Sequence, residues 1–378
     1  MITRMCRLVL AVVLTLVALV SCSSGKTPAP TPTPPRTPVD YQVLETAIEN
    51  KIATGSVALD NVRAVLVSVD GETKISHYRH GFTEGDTTHV WSVTKSVVST
   101  LIGVAISEGI IGSLDQTLGE LLPQHRSSMS AAVAAVTLRQ LMTMTGGFPG
   151  GDPPYETVRS IFASRGDLVA YFLEEGQEVA AGTQFLYSNT SSHLVAAVLA
   201  TALRRTAGDH PRSVLEYARA RLFDPLDIDT DPAFVEPLVD TAAAGLAAAG
   251  FGWGTDPRGI PVGAFGLRLT PPDLVKLGQL YLNHGAWHGR QIIPTDWVGQ
   301  VTTPSGLQPQ YELMWWLYTW NGHQLYAARG HEGQLIVVVP DQRSVTAIAS
   351  VNNPEYGIHE EALFPLLNEI IMPGLDGS

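Results

Sequence analysis

Apolar positions recur with two different periods along the chain, and the period changes from one segment to the next. Between Tyr41 and Ala53 the apolar residues have helical spacing. The segments Val62–Val69 and Thr73–Tyr78 predict two strands, joined by the turn sequence Asp70-Gly71-Glu72. A long apolar helix is predicted over Ser92–Glu108. The first part of the pattern therefore predicts a helix, a β-hairpin and a second helix.

From about residue 114 to residue 301 the pattern is mostly helical, with Gly/Pro-rich loops at 146–154 and 250–263. The chain ends in a predicted helix around His359–Met372. Before it, the strand pattern returns over Leu313–Thr319, Gln324–Ala328, Leu335–Val339 and Val345–Val351. Strands near both ends, with helices between them, predict an α/β fold in which one sheet is built from both ends of the chain and a helical part is inserted. We expect an active site in the cleft between these two parts.

The first residues have the pattern of an export signal. Arg4 and Arg7 precede the uncharged run Leu8–Val20, which as a helix would span roughly 20 Å, short of the roughly 30 Å of a membrane core. We interpret residues 1–21 as a signal peptide. The tetrapeptide Leu19-Val20-Ser21-Cys22 resembles the lipobox of bacterial lipoproteins. That resemblance implies that Cys22 is lipidated and anchors the protein to the cell membrane on its extracytoplasmic side; an ordinary signal peptide cut nearby is the alternative.

A proline-rich segment follows the predicted anchor. Ser23–Val39 contains six prolines in 17 residues, a composition that favours an extended chain and cannot form a core. We therefore predict a stalk over residues 22–39 and a folded domain over residues 40–378. A stalked domain with a closed core is expected to be a monomer.

Composition excludes several classes of function. Lys plus Arg number 24 against 36 Asp plus Glu, a formal charge of −12, and no long basic run is present, which argues against a nucleic-acid partner. The two cysteines, Cys6 and Cys22, are too few for a disulfide framework. If Cys22 is lipidated, no thiol is left for redox or metal chemistry.

The first of three motifs with chemical potential is Ser92-Val93-Thr94-Lys95. On a helix, positions i and i+3 share a face, so the Ser92 hydroxyl and the Lys95 amine can meet. Serine is a weak nucleophile and needs an adjacent base. The apolar surroundings disfavour the ammonium form of Lys95, and a neutral amine can accept the serine proton. Alone the motif is weak, because Ser23 and Lys26 share its spacing; a lysine extending from a core helix is the alternative.

The other two motifs are Tyr187-Ser188-Asn189 and Gly330-His331-Glu332-Gly333-Gln334. A tyrosine beside an amine can pass protons between nucleophile and leaving group, and an asparagine amide can orient a substrate carbonyl. Glycines at the start of a strand allow the backbone to approach a ligand, and a backbone N–H there can form half of an oxyanion hole. Taken separately, a core tyrosine with a loop asparagine is the favoured explanation of the second motif, and a simple β-turn that of the third.

In this order and at gaps of 95 and 144 residues, the three motifs resemble those of the serine β-lactamase and penicillin-binding-protein superfamily. The likeness is closest to its class C β-lactamase-like, esterase and 6-aminohexanoate-dimer hydrolase branch, and it extends over about residues 45 to 370. Two further segments strengthen it: Ile111–Asp115 is similar to the family's G-x-L-D turn, and Val136–Gly147 to its T-x-x-x-L-L-x-H-T-S-G segment, with Met144 where histidine is usual. The resemblance implies a β-lactamase/transpeptidase-like fold with an antiparallel sheet flanked by helices.

The resemblance also implies roles for the motif residues. Ser92 would form an acyl-enzyme, and Lys95 and Tyr187 would share the duties of base and acid. Asn189 would contact the substrate, and the backbone N–H groups of Ser92 and Gln334 would form the oxyanion hole. No metal or cofactor is expected. The chain is therefore predicted to be a serine hydrolase acting on ester or amide bonds of a small molecule or peptide.

One departure from the family limits the choice of substrate. β-Lactamases and most D-alanyl-D-alanine peptidases carry Lys-Thr/Ser-Gly at the third motif, where the cation receives a substrate carboxylate. Here His331-Glu332-Gly333 stands in its place. We expect neutral esters or amides as substrates. A D-alanyl-D-alanine carboxypeptidase, a β-lactamase, or a non-catalytic penicillin-binding-like sensor or binding lipoprotein are the alternatives.

Two residue groups are assigned no certain role. The aromatic residues Trp315, Trp316, Tyr318 and Trp320 either line an acyl pocket or belong to the core. The pairs His77/His80 and His284/His288 have spacings compatible with metal ligation. We interpret these four as surface histidines, because no acidic residue or cysteine is expected near them.

Overall fold

The structure is a computed structural model that describes residues 38–55, 57–150, 166–235, 250–351 and 360–377. The predicted signal peptide, Cys22 and most of the stalk lie outside these residues. The boundaries predicted for the signal peptide, the stalk and the domain therefore stay predictions. Among the described residues, no helix combines the length and the apolar character that a membrane crossing requires.

The elements follow one another in mixed order. The α-helices are α1 (Tyr41–Thr54), α2 (Val93–Ser107), α3 (Leu118–Leu121), α4 (Ala131–Ala134), α5 (Leu138–Met142), α6 (Leu168–Glu175), α7 (Asn189–Arg205), α8 (Val214–Ala218), α9 (Pro271–Leu282), α10 (Thr295–Val301) and α11 (Met372–Asp376). The strands are β1 (Val62–Val69), β2 (Glu72–Tyr78), β3 (Thr88–His89), β4 (Gly252–Trp253), β5 (Leu267–Leu269), β6 (Ala286–Trp287), β7 (Arg290–Gln291), β8 (Tyr311–Glu312), β9 (Trp315–Trp320), β10 (His323–Gly330), β11 (Gln334–Val339) and β12 (Ser344–Ser350). Short 3-10 helices span Val57–Asn61, Pro123–Ser128, Asp224–Leu226, His331–Gly333 and Glu360–Leu363, and π-helical turns span Arg219–Phe223 and Leu366–Ile371.

A seven-stranded sheet forms the centre of the fold, in the order β2-β1-β12-β11-β10-β9-β8. Each neighbouring pair is antiparallel, and β1 from the early chain pairs with β12 from the late chain, with Val65 opposite Ile348. This confirms the predicted fold class, an antiparallel sheet from both ends of the chain flanked by helices. The sequence pattern was sufficient because β1, β11 and β12 are buried on both faces, which produces continuous apolar runs.

The two faces of the sheet pack against different helices. Side chains alternate along β1, so Val65 and Val67 pack with Ile48 of α1 and the C-terminal helical segment, whereas Leu66 belongs to the larger core that also contains residues of α2 and α9. Asp40 caps α1 by accepting hydrogen bonds from two backbone N–H groups of its first turn. The helix α2 is buried almost all round, because it lies between the sheet and α7.

The middle of the chain is less helical than predicted. The strands β3, β5 and β4 form a three-stranded sheet, and β6 and β7 form a small hairpin. These strands are two or three residues long, too short to show a period of two. Part of the predicted loop at 146–154 lies outside the described residues.

Two predicted elements near the end of the chain differ from the structure. The continuous strand predicted over Leu313–Thr319 is wrong at its start, because Leu313 and Met314 have positive φ angles of 42° and 70° that separate β8 from β9. The single helix predicted around His359–Met372 is instead a 3-10 turn, a π-helical turn and α11, and its predicted first residue lies outside the described residues.

Candidate active site

The first two predicted residues meet at the start of α2. Ser92 is the residue immediately before the helix, and its side chain makes no capping hydrogen bond to the helix backbone. Lys95 lies one turn further on, and its Nζ is 2.9 Å from Ser92 Oγ. Since Lys95 is 1% exposed, its amine is held in the protein interior beside a partly exposed hydroxyl. The predicted Ser–Lys juxtaposition is present.

Three oxygen atoms surround Lys95 Nζ. Besides Ser92 Oγ, they are Asn189 Oδ1 at 2.8 Å and the backbone carbonyl of Ala264 at 2.9 Å. As an ammonium, Lys95 donates one hydrogen bond to each oxygen. As a neutral amine it still donates to the two amide oxygens, and its lone pair is left to accept the Ser92 O–H. The same three partners therefore satisfy both protonation states, which is the arrangement that a proton acceptor needs.

The second motif leads into α7 and faces Lys95. The Tyr187 ring lies with its centroid 4.9 Å from Lys95 Nζ, within cation–π distance. Ser188 caps α7 by accepting from Ser191 N, which fixes Asn189 as the first helical residue. Tyr187 is supported from behind by the Tyr311 and Trp316 rings, with centroids 5.8 and 5.7 Å away. The structure thus brings Ser92, Lys95, Tyr187 and Asn189 together.

Met144, which stands where the family usually has histidine, lies under this second motif. It is fully buried with a positive φ of 58°. Its Sδ accepts a hydrogen bond from Ser188 N at 3.4 Å, and its carbonyl accepts one from Leu186 N. The thioether therefore supplies an acceptor to the backbone that positions Tyr187.

The third motif approaches the first through its backbone. A Cβ placed on Gly330 would lie 2.3 Å from the Val90 carbonyl, so only glycine allows this contact. The His331 ring packs edge-on against Trp91, with centroids 5.3 Å apart. Glu332 is 4% exposed and its carboxylate accepts a 3.0 Å hydrogen bond from Trp91 Nε1. The turn therefore lies directly against the residue before Ser92.

The last two residues of this motif are held by β12 and the C-terminal segment. Gly333 has a φ of 86°, and a Cβ there would lie 2.9 Å from Leu363 and from Ser350. Gln334 begins β11 with its side chain buried, where Nε2 donates to the Ser350 carbonyl at 2.6 Å. The space beside Gly330 and Gly333 is thus filled by protein atoms, which is a different use of glycine from the approach to a ligand that we predicted.

The loop that carries Ala264 is bonded to a neutral histidine at Gly266. His89 Nε2 accepts a 2.9 Å hydrogen bond from Gly266 N, and burial lowers the pKa of His89 to about 3. An acceptor nitrogen must be unprotonated, so the low pKa and the hydrogen bond are consistent. Phe265 lies between Ala264 and Gly266 in the sequence, and its ring packs near those of His89 and Trp91.

The same loop is fixed at its other end by a buried hydrogen bond between Asp256 and His193. Asp256 Oδ2 and His193 Nε2 are 3.3 Å apart and both side chains are fully buried. Burial alone would raise the pKa of Asp256, yet the hydrogen bond from His193 and those from the backbone of Ile260 and Arg258 lower it below its usual value. A buried carboxylate thereby holds the turn that leads to Ala264.

The aromatic residues of β9 were expected either to line an acyl pocket or to belong to the core, and both placements occur. Trp315 faces the core, where its ring is tilted against that of Tyr281 with the centroids 4.2 Å apart, whereas Trp316 packs against Tyr187. The Arg329 guanidinium lies 4.5 Å from the centroid of the Trp316 ring and is paired with Glu361 at 2.8 Å. Trp316 therefore belongs to the wall behind the site, and Trp315 to the core.

The histidine pairs do not form shared sites. His77 Nδ1 is 3.3 Å from Glu49 Oε1 with Glu45 close by, and its side chain is only 14% exposed, so the expectation of a surface histidine without acidic neighbours is wrong at this position. His80 contacts a different carboxylate, with its Nε2 3.4 Å from Asp60 Oδ1. The second pair, at 284 and 288, is exposed as predicted.

Sequence reasoning missed three contributors to the site: Ala264, Trp91 and Glu332. Ala264 acts through its carbonyl, which leaves no side-chain signal. Trp91 precedes the serine with a φ of 49°, a conformation that a bulky residue rarely adopts and that no pattern indicates. Glu332 was considered only as a neighbour of His331.

The chain was compared with known families and solved structures. The family model described as Beta-lactamase matches residues 54–363. That match contains all three motifs.

Solved structures show the same architecture at low sequence identity. A Bacillus anthracis protein assigned as a 6-aminohexanoate-dimer hydrolase has a TM-score of 0.66 at 19% identity, over 84% of this chain and 79% of that one. A D-stereospecific amidohydrolase from Streptomyces sp. has a TM-score of 0.61 at 18% identity, over 86% and 98%. The octameric penicillin-binding protein homologue from Pyrococcus abyssi has a TM-score of 0.63 at 18% identity, over 88% and 78%. These likenesses establish the fold.

Proposed function

Because the chain belongs to the beta-lactamase family, we propose that it is a serine hydrolase that cleaves an ester or amide bond through an acyl-enzyme on Ser92. The observation that carries the proposal is the environment of Lys95, whose Nζ has Ser92 Oγ and two amide oxygens within 2.9 Å. Three such contacts on one buried amine orient its lone pair toward the serine.

Acylation follows from this geometry. The Ser92 oxygen attacks the substrate carbonyl carbon as its proton passes to Lys95 Nζ, and the carbonyl electron pair moves to oxygen. The backbone N–H groups of Ser92 and Gln334 are the proposed donors to this oxyanion. When the tetrahedral intermediate collapses, the bond to the alcohol or amine breaks, and that group leaves with a proton passed on through Tyr187.

Deacylation repeats the steps with water. Water gives a proton to the Lys95–Tyr187 pair and attacks the acyl carbon, the ester bond to Ser92 breaks, and Ser92 Oγ regains a proton. The acid product leaves, and the enzyme returns to its first state. Asn189 Oδ1 accepts a hydrogen bond from Lys95 and holds it in position, and the proposed role of the Asn189 amide is to contact the substrate.

The charges around the third motif favour a neutral substrate. Glu332 is engaged with Trp91, and Arg329 is engaged with Glu361 and with Tyr318. The position of the Lys in a Lys-Thr-Gly motif is taken by His331. We therefore propose neutral esters or amides. Appreciable penicillin turnover at neutral pH would contradict this choice and favour the β-lactamase alternative.

Intact mass spectrometry with a nitrophenyl ester tests the reaction. We expect the full chain to show a transient acyl adduct and to release more than one equivalent of nitrophenol, and Ser92→Ala to show neither. Ser23→Ala is the matched control, because Ser23 and Lys26 repeat the spacing of Ser92 and Lys95 in the stalk. A stable adduct without turnover would favour the sensor alternative. No adduct, with equal rates in all three proteins, would rule out Ser92 as the nucleophile toward simple esters.

We further propose that a lipid on Cys22 holds the domain, as a monomer, on the extracytoplasmic side of the cell membrane. The lipobox-like sequence and the proline-rich stalk support this placement. Labelling of the expressed protein with a palmitate analogue is expected to be lost in Cys22→Ser and kept in Cys6→Ser. Equal labelling of the two variants would contradict the proposal.

A further inference from the structure

A second cleft lies in the helical part of the molecule. It has a volume of about 320 Å³ and is formed by the 3-10 helix Pro123–Ser128, the start of α6, the face of α7 and the loop that follows Asp256. Val169, Ala197 and Ile260 form a buried apolar floor. The rim carries the charged and polar groups His125, Asp167, Arg204 and Arg258.

The rim has more positive than negative charge, in a chain whose formal charge is −12. Arg258 and His125 both face the Asp167 carboxylate, Arg258 in direct contact and His125 Nδ1 at 3.9 Å. Within the described part of the chain, no hydrogen bond or ion pair engages the exposed Arg204. One guanidinium is therefore neutralised, and the other faces the cleft with its donors unused.

Burial lowers the pKa of His125, Asp167 opposes that effect, and Arg258 and Arg204 add to it. The two arginines thus act together on this part of the cleft. An anion placed between them would be attracted chiefly by Arg204 and would oppose their effect on the pKa of His125.

The backbone at Arg258 is fixed by the buried carboxylate of Asp256. Asp256 Oδ1 accepts hydrogen bonds from the N–H groups of Arg258 and Ile260, both at 2.9 Å, and Asp256 Oδ2 pairs with buried His193. Asp167 is also anchored, because it caps α6 by accepting from Ala170 N. The backbone of Arg258 and the Asp167 carboxylate are thus held in place before any ligand binds.

The cleft is separate from the catalytic groups but shares two supports with them. Along α7, Thr201 is twelve residues beyond Asn189, about 18 Å at the rise of an α-helix. The loop that carries Arg258 and Ile260 continues to Ala264, the acceptor of Lys95, and at Gly263 it packs so tightly on α7 that a Cβ would lie 2.2 Å from the Ser192 carbonyl.

We propose that this cleft is a second ligand site, for a small amphipathic anion whose carboxylate or phosphate lies between Arg204 and Arg258 and whose apolar part covers Val169 and Ala197. Guanidinium groups suit such anions because their N–H donors match paired oxygens. The apolar floor favours an acid with a short hydrocarbon chain over an inorganic anion.

Titration calorimetry of the full chain with butyrate, butyramide and inorganic phosphate tests the site at constant ionic strength. We expect saturable binding of butyrate, weaker binding of phosphate and none of butyramide. Arg204→Gln should weaken butyrate binding by at least about tenfold, because it removes a charge-assisted hydrogen bond. Arg205→Gln is the matched control and should change nothing, because Arg205 is exposed and reaches the Glu120 carbonyl instead.

A further variant is expected to strengthen butyrate binding instead of weakening it. Asp167→Asn removes the internal carboxylate while keeping a good helix cap, so butyrate binding should tighten by about threefold or more. Because Arg204 is fifteen residues beyond Asn189 along α7, a loss of butyrate binding in Arg204→Gln separates this site from the catalytic one. The proposal is overturned by no saturable binding, by equal affinity for butyramide, by tighter binding of phosphate, or by equal losses in Arg204→Gln and Arg205→Gln.

Discussion

Trp91 and Glu332, each in a left-handed backbone conformation, are joined by a 3.0 Å hydrogen bond from the indole to the carboxylate. Trp91 directly precedes Ser92, and Glu332 is at the centre of the third motif. Non-glycine residues with positive φ cost on the order of 1–3 kcal/mol each and are kept where surrounding contacts enforce them. The bond therefore links the strained backbone before the nucleophile to the turn opposite it.

Replacing Glu332 should separate two roles of its carboxylate. Glu332→Ala leaves a buried indole N–H without this acceptor, at a cost of about 1–3 kcal/mol, and releases the backbone before Ser92. We expect lower stability in urea and a fall in kcat/KM, whereas Glu332→Gln, which keeps an acceptor oxygen, retains most of both. Glu369→Ala, at an exposed carboxylate paired with Lys51, is the control. Wild-type turnover in Glu332→Ala would show that the link is dispensable.

Tyr187→Phe should remove proton transfer and leave packing intact. The ring contacts with Tyr311 and Trp316 survive the change, so the fold is expected to be stable, while kcat falls by about 10²–10⁴-fold if the hydroxyl carries the proton. Tyr281→Phe is the matched control, since Tyr281 is a buried core tyrosine bonded to Thr100. Initial rates with a nitrophenyl ester measure both. Equal losses in the two variants would point to a structural effect.

Gly330→Ala should damage the contact between the third motif and β3–α2. Its Cβ would lie 2.3 Å from the Val90 carbonyl, and overpacking of this kind costs about 1–3 kcal/mol. Gly299→Ala is a control for which we expect the opposite change in stability. Gly299 lies in α10 with open space around it, so alanine should stabilise the protein by about 0.5–1 kcal/mol. Thermal unfolding of both variants measures these changes in stability. A Tm of Gly330→Ala above that of the wild type would contradict the close contact.

His323 should make stability depend on pH. Burial lowers the pKa of His323, but the carboxylates of Asp341 and Asp376, at 2.7 and 3.2 Å, raise it above its usual value overall. Its contribution is thus fully present below about pH 6.5 and is lost as pH rises through the folded-state pKa. Both carboxylates are about half exposed, so we expect no more than about 1 kcal/mol.

Urea unfolding at pH 5.5 and 8.5 measures this effect. The difference between the two pH values should shrink in His323→Asn and stay unchanged in His284→Asn, an exposed histidine of the turn after α9. A pH dependence identical in His323→Asn and the wild type would refute the role of this cluster.

The sequence patterns predicted the parts of the fold in which many residues share one environment. β1, β11 and β12 are buried on both faces, and α2 is buried almost all round, so their apolar runs were unmistakable. Elements of two or three residues, such as β4 and β6, lack a period and were missed. The break at Leu313 and Met314 depends on local backbone conformation that tertiary contacts impose.

In the site, side chains with distinctive chemistry were predicted and backbone contributions were not. Ser92, Lys95, Tyr187 and Asn189 were identified by spacing and resemblance, and the structure brings them together. The Ala264 carbonyl has no signature, because any residue carries the same group. The acidic neighbours of His77 were missed since α1 and β2 are brought together only by packing.

The pairing of β1 with β12 imposes an order on the formation of the molecule. The β1–β2 hairpin is synthesised early. The other neighbour of β1 in the sheet, β12, is synthesised only after the whole helical part. Until then β1 has a bare edge, and contacts between such distant segments form slowly. The nascent chain therefore passes through a stage at which Ser92 has been synthesised but the sheet beside it is open, and this stage is when the protein is most exposed to aggregation.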